Sequence, residues 1–213
     1  RKTSALPLFI NLLLQNRDMA QVFDQFKIST LPKEAQRIIK FLAILGRSVE
    51  TADLLLALEL NSDRGIAIIA ELKNQYMIDE VPGCEGKIAL SSFVAQMCMS
   101  AIKTKDRLEM GRVILQHLIK SNSSDRTLLL VHALKCEEYE LAENLLKTYK
   151  IDEWQQYLPL SLDEIRDHLE KKVNPKDIQA VNINLSRALL QIYFITAQRE
   201  KGVILGESLL KFF

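Results

Sequence analysis

Tyr76-Met77-Ile78-Asp79-Glu80-Val81-Pro82-Gly83-Cys84-Glu85-Gly86-Lys87-Ile88-Ala89-Leu90 is the stretch on which the fold turns. Two β-prone runs, residues 76–81 and 87–90, flank a cluster of turn formers. Pro82 presets φ, and Gly83 and Gly86 reach positive φ without steric cost. The pattern predicts a β-hairpin with a five-residue connection, residues 82–86. On either side of it the spacing is helical.

Upstream, residues 6–15 read as a short helix with Pro7 in its first turn, where a missing N–H costs little. A second short helix covers residues 18–25. The next is better marked. Thr30 stands as its N-cap, Pro32 and Glu34 sit in the first turn, and Ala35, Ile38, Ile39, Leu42 and Leu45 follow helical spacing to a stop at Gly46. Residues 50–60 form another helix, and Ser62 and Asp63 cap a third that carries Ile66, Ile69 and Leu72. Three helices followed by a hairpin is the element order of a winged helix.

Downstream the spacing stays helical. One helix covers residues 92–102, and residues 105–120 carry Met110, Val113, Ile114, His117 and Leu118 on one face. Ser124 is the candidate cap of a helix reaching Cys136, and residues 138–149 present Leu141, Ala142, Leu145, Leu146 and Tyr149. Ser161 and Glu164 match a capping box. Asn174-Pro175 opens what reads as the longest helix, broken at Gln198-Arg199-Glu200 and followed by residues 203–213. Short links between such helices predict antiparallel pairs. The stretches 130–143 and 189–202 read as related half-repeats, each an apolar helix, a polar break and a charged start leading to a small residue, Ala142 or Gly202. Their offset of about 60 residues exceeds a single repeat period, so the repeats are irregular.

Composition bounds the function. Hydrophobic residues are 48% and charged residues 26% of 213, which is ordinary for a folded globular chain. A net charge of +1 provides no field to steer the chain onto a polyanion. Cys84, Cys98 and Cys136 are odd in number and lack a Cys-x-x-Cys spacing, which fits reduced thiols in the cytoplasm better than a disulfide framework. No apolar run is long enough for a membrane span. Both ends, Arg1-Lys2 and Phe212-Phe213, read as cuts in a longer polypeptide.

No catalytic or metal constellation emerges. His132 and Cys136 share a helix face, but two ligands do not complete a zinc site, and core packing is the stronger reading. His168, among Glu164, Asp167 and Lys171, reads as part of a solvated charged face. There is no Gly-x-Ser-x-Gly elbow, no P-loop and no Gly-x-Gly-x-x-Gly. For duplex DNA, residues 62–91 hold Arg64, Lys73 and Lys87 against Asp63, Glu71, Asp79, Glu80 and Glu85, three cations to five anions. Phosphate repulsion argues against that surface as a DNA reader. Trp154 and Tyr157 offer an aromatic contact for a protein partner, with a packed corner as the alternative.

The segment Ser4-Ala5-Leu6-Pro7-Leu8-Phe9-Ile10-Asn11-Leu12-Leu13-Leu14 resembles the helix that closes the nucleotide-binding module of STAND-type signalling ATPases. Leu31-Pro32-Lys33-Glu34-Ala35-Gln36 resembles the start of their winged-helix domain, and residues 92–213 resemble the tetratricopeptide-like array that follows. The resemblance implies a mainly α chain in three parts. Residues 1–29 would be the helical end of a nucleotide-binding module, 30–103 a winged-helix domain with one small hairpin, and 104–213 a helical-repeat region cut short at its C-terminal end. It implies that Pro7 contacts ATP or ADP together with an upstream module, the family's glycine two residues earlier being Ala5 here. The chain itself would hold no cofactor. It also implies a cytoplasmic, non-catalytic regulatory arm whose helical array meets a protein partner or sensed ligand, in a parent able to oligomerise. The alternatives are a winged-helix transcriptional regulator and a helical scaffold subunit.

Overall fold

The computed structural model describes residues 28–121, 123, 125–147, 159–174, 178 and 182–211. These residues are mainly helical, with one small three-stranded antiparallel sheet. Two compact units divide between His117 and Leu118. The family resemblance implies a domain change between Lys103 and Thr104.

Among the described residues, the first unit starts with a 3-10 turn, Ile28–Thr30, and helix α1, Lys33–Leu45. Ala35, Ile38, Ile39, Leu42 and Leu45 are buried as their spacing requires, and so are Phe41, Ala43 and Ile44. The first half of α1 is amphipathic, with Lys33 and Arg37 exposed, while residues 41–45 are buried without a break, so its C-terminal half is central. Strand β3 (Lys87–Leu90) and helix α4 (Ser92–Ala101) both pack on it. Gly46 stops α1 in the left-handed region at φ 71°, its N–H donating to the Leu42 carbonyl. Pro32, not Thr30, stands at the N-cap position. Its carbonyl accepts from the Gln36 N–H at 2.9 Å, and having no N–H it leaves none unsatisfied.

Strand β1 (Val49–Glu50) and helices α2 (Thr51–Ala57) and α3 (Ser62–Asn74) follow, then β2 (Ile78–Glu80) and β3. The sheet order is β1-β3-β2, with Val49 opposite Ile88 and Ile78 opposite Leu90. The hairpin expected from residues 76–90 is therefore present, with a third strand added. Its turn closes through the Val81 N–H donating to the Lys87 carbonyl at 3.0 Å. Gly83 and Gly86 take φ of 77° and 81°. The Gly86 carbonyl accepts from the N–H and hydroxyl of Thr51, each at 2.9 Å, which fastens the turn to the start of α2.

Asn61, rather than Ser62 or Asp63, caps α3, accepting from the Arg64 N–H. The buried stripe of α3 is Gly65, Ile69 and Leu72, while Ile66 lies one step around the helix and is 54% exposed. Gly65 marks the closest approach of α2 and α3: a Cβ there would fall 2.3 Å from Cδ2 of buried Leu55. Helix α5 (Thr104–Lys120) is the longest among the described residues, at 17. It buries Met110, Ile114, Leu115 and Leu118, and Val113 and His117 are half-buried. Lys40 and Asp106 pair at 2.5 Å and tie α1 to α5, and this hydrogen bond and charge hold the Asp106 carboxyl below its usual range.

The second unit comprises α6 (Arg126–Lys135), α7 (Tyr139–Leu146), α8 (Pro159–Lys172), α9 (Ile183–Ile195) and α10 (Arg199–Leu210). Helix α6 packs on α7 and α8, α9 on α7 and α8, and α10 on α9. Local signals misplaced several starts here. Asp125, accepting from the Leu128 N–H at 2.9 Å, caps α6 in place of Ser124. Helix α8 already runs from Pro159, so Ser161 lies inside its first turn and is no cap. Helix α9 starts at Ile183, not at Asn174-Pro175, and the break after it falls at Thr196-Ala197-Gln198.

The half-repeats correspond atom for atom at the turn. In the first, the Glu137 N–H donates to the Leu134 carbonyl and the Glu138 N–H to Ala133. Adding 60 to each number gives the second: Ala197 to Phe194 and Gln198 to Tyr193. Glu137 and Ala197 take φ of 61° and 56°. These are Schellman closures with a non-glycine residue in the left-handed position. Ala142 and Gly202 follow as the small buried residues of each pair.

Two outcomes test this packing. Gly65→Val should destabilise the first unit by about 1–3 kcal/mol, read by urea denaturation, because the added methyls overpack the α2–α3 contact. Glu137→Gly should stabilise the second unit by about 0.5–1 kcal/mol in the same assay, the relief of left-handed strain exceeding glycine's entropy in the unfolded chain.

Candidate functional site

Helix α9 buries Leu185, Ala188, Leu189, Ile192 and Tyr193, and a different stripe, Arg187, Leu190 and Phe194, lies on another of its faces. On α10, Val203, Gly206 and Leu210 repeat the spacing toward the same side. Between the two stripes runs a groove of about 930 Å³. Phe194 is 72% exposed and Leu210 75%, so the groove has an apolar rim as well as an apolar floor. Small residues make the floor: Gly202 and Gly206 face Leu190 with no side chain of their own. Arg187, Arg199 and Glu207 bring charge to its edges. A contiguous apolar groove of this kind is a candidate interaction surface.

Beside the groove, the contact of this helix pair with α8 includes a satisfied polar cluster. Glu170 of α8 accepts from the Tyr193 hydroxyl at 2.9 Å and from the Lys201 ammonium at 2.8 Å. Partial burial pushes the Glu170 carboxyl up, but the hydrogen bonds from Lys201 and Tyr193 outweigh it and hold the group below the usual carboxylate range. Burial and the same hydrogen bond raise the Tyr193 phenol. Glu143 of α7 accepts from the N–H groups of Asn184 and Leu185, both at 2.9 Å, and so caps the first turn of α9 from a neighbouring helix. These carboxylates hold helices together.

In the first unit, the cations on α3 and the hairpin are engaged. Arg64 pairs with Glu34 at 2.8 Å, Lys73 with Glu80 at 2.5 Å and Lys87 with Glu50 at 3.7 Å. A phosphate would have to displace a carboxylate at each.

Pro7, Trp154 and Tyr157 lie outside the described residues. His132 and Cys136 are buried, and no group of three His, Cys, Asp or Glu is placed to hold a metal among the described residues. His168 is half-buried rather than on an open face, and burial, then Lys171, lowers its pKa. Burial pushes the Cys98 thiol up to about 11, away from the reactive thiolate. No helix among the described residues is long and apolar enough to cross a membrane. The groove residues escaped sequence reasoning, although Phe194 stood in the half-repeat opposite Leu134, and its counterpart's burial is what distinguishes the two.

The Glu170 cluster gives a pH dependence. A carboxyl depressed in the fold contributes stability above its ordinary pKa of 4.5 and loses it as pH falls through the lower folded value. Glu170→Gln should therefore flatten the acid side of the melting-temperature profile below that pH, measured by circular dichroism. No protein-family model matches the chain, and no curated protein or solved structure matches it.

Proposed function

We propose that this chain is the regulatory and sensor arm of a STAND-type signalling ATPase, non-catalytic by itself, acting through protein contacts. One observation carries the reading: the order α1-β1-α2-α3-β2-β3, with a β1-β3-β2 sheet, followed by helical hairpins that repeat at an offset of 60 residues. The first part is a winged helix by that order, with residues 81–86 as its wing. The second is a tetratricopeptide-like array. The winged helix acts as a joint against a nucleotide module, and partner binding to the array shifts a closed–open equilibrium by its differential affinity for the two states.

The ion pairs on α3 and the wing favour this over a DNA-reading winged helix. Arg64, Lys73 and Lys87 are each committed to a carboxylate, so a duplex would meet acidic groups and neutralised cations.

Two measurements test the reading. In an electrophoretic mobility assay at low salt the chain should leave duplex DNA unshifted. A shift that weakens steeply with added salt would assign it to the transcriptional regulators instead. The coding sequence upstream of Arg1 should contain a Gly-x-x-x-x-Gly-Lys-Ser/Thr loop, and in that longer polypeptide Pro7→Ala should weaken ADP binding in calorimetry. An upstream sequence without such a loop would end the ATPase reading.

A further inference from the structure

We draw no further inference here: the strongest candidate, the apolar groove between α9 and α10 floored by Gly202 and Gly206, lies on the last described hairpin, and nothing in the structure shows what covers it.

Discussion

Four helices among the described residues end in the same backbone closure, and the directions of the elements that follow depend on it. After α2, α3, α6 and α9 the chain places Glu59, Tyr76, Glu137 and Ala197 in the left-handed region. The next N–H then reaches back five residues, Leu60 to Leu55, Met77 to Leu72, Glu138 to Ala133 and Gln198 to Tyr193. This satisfies carbonyls that a helix end would leave orphaned. None of the four is glycine, so each closure carries steric strain of about 1–2 kcal/mol. Packing on either side maintains it. Leu72 and Met77 are both buried, and the second hairpin places Tyr193 against Gly202. The closure turns α3 into the sheet in the first unit and folds helix on helix in the second.

Charge is spent on structure in both units. In the first, the lysines and arginine of α3 and the hairpin answer nearby glutamates. In the second, Glu143 and Glu170 each collect donors from neighbouring helices. Exposed pairs of this kind contribute little stability one by one. They place a carboxylate beside each cation of α3 and the hairpin. Among the described residues, the α9/α10 groove sets apolar Phe194, Val203 and Leu210 beside two glycines, with Arg187, Arg199 and Glu207 at its margins.

The two hairpins also separate backbone from surface. Their turns match bond for bond at an offset of 60 residues, yet Leu134 is core and Phe194 is surface. A repeat unit buries its apolar face only against a neighbour, so identical local geometry has different energetic meaning according to what stacks on it. The contrast between Glu143 and Val203 follows the same logic, since a carboxylate is useful where a helix N-terminus arrives and an aliphatic side chain suits an apolar contact.

Over residues 28–121, most elements and their order were legible in the residues. The spacing of Ala35, Ile38, Ile39, Leu42 and Leu45 before Gly46, and the run from Tyr76 to Leu90, specify a helix and a hairpin by local physics. The pairing of the two half-repeats was legible too, because turn chemistry is local. Caps were legible only in part: Asn61, Asp125 and Pro32 took positions that equally suitable neighbours could have held, and a cap depends on where packing starts the helix. The third strand, the burial of Leu115 and the exposure of Ile66 and Phe194 were decided by tertiary structure. An apolar residue at helical spacing reports a face, and only the neighbouring elements determine whether that face is covered. The groove on α9 and α10 belongs to that second category, because its composition is that of a core and its position is that of a surface.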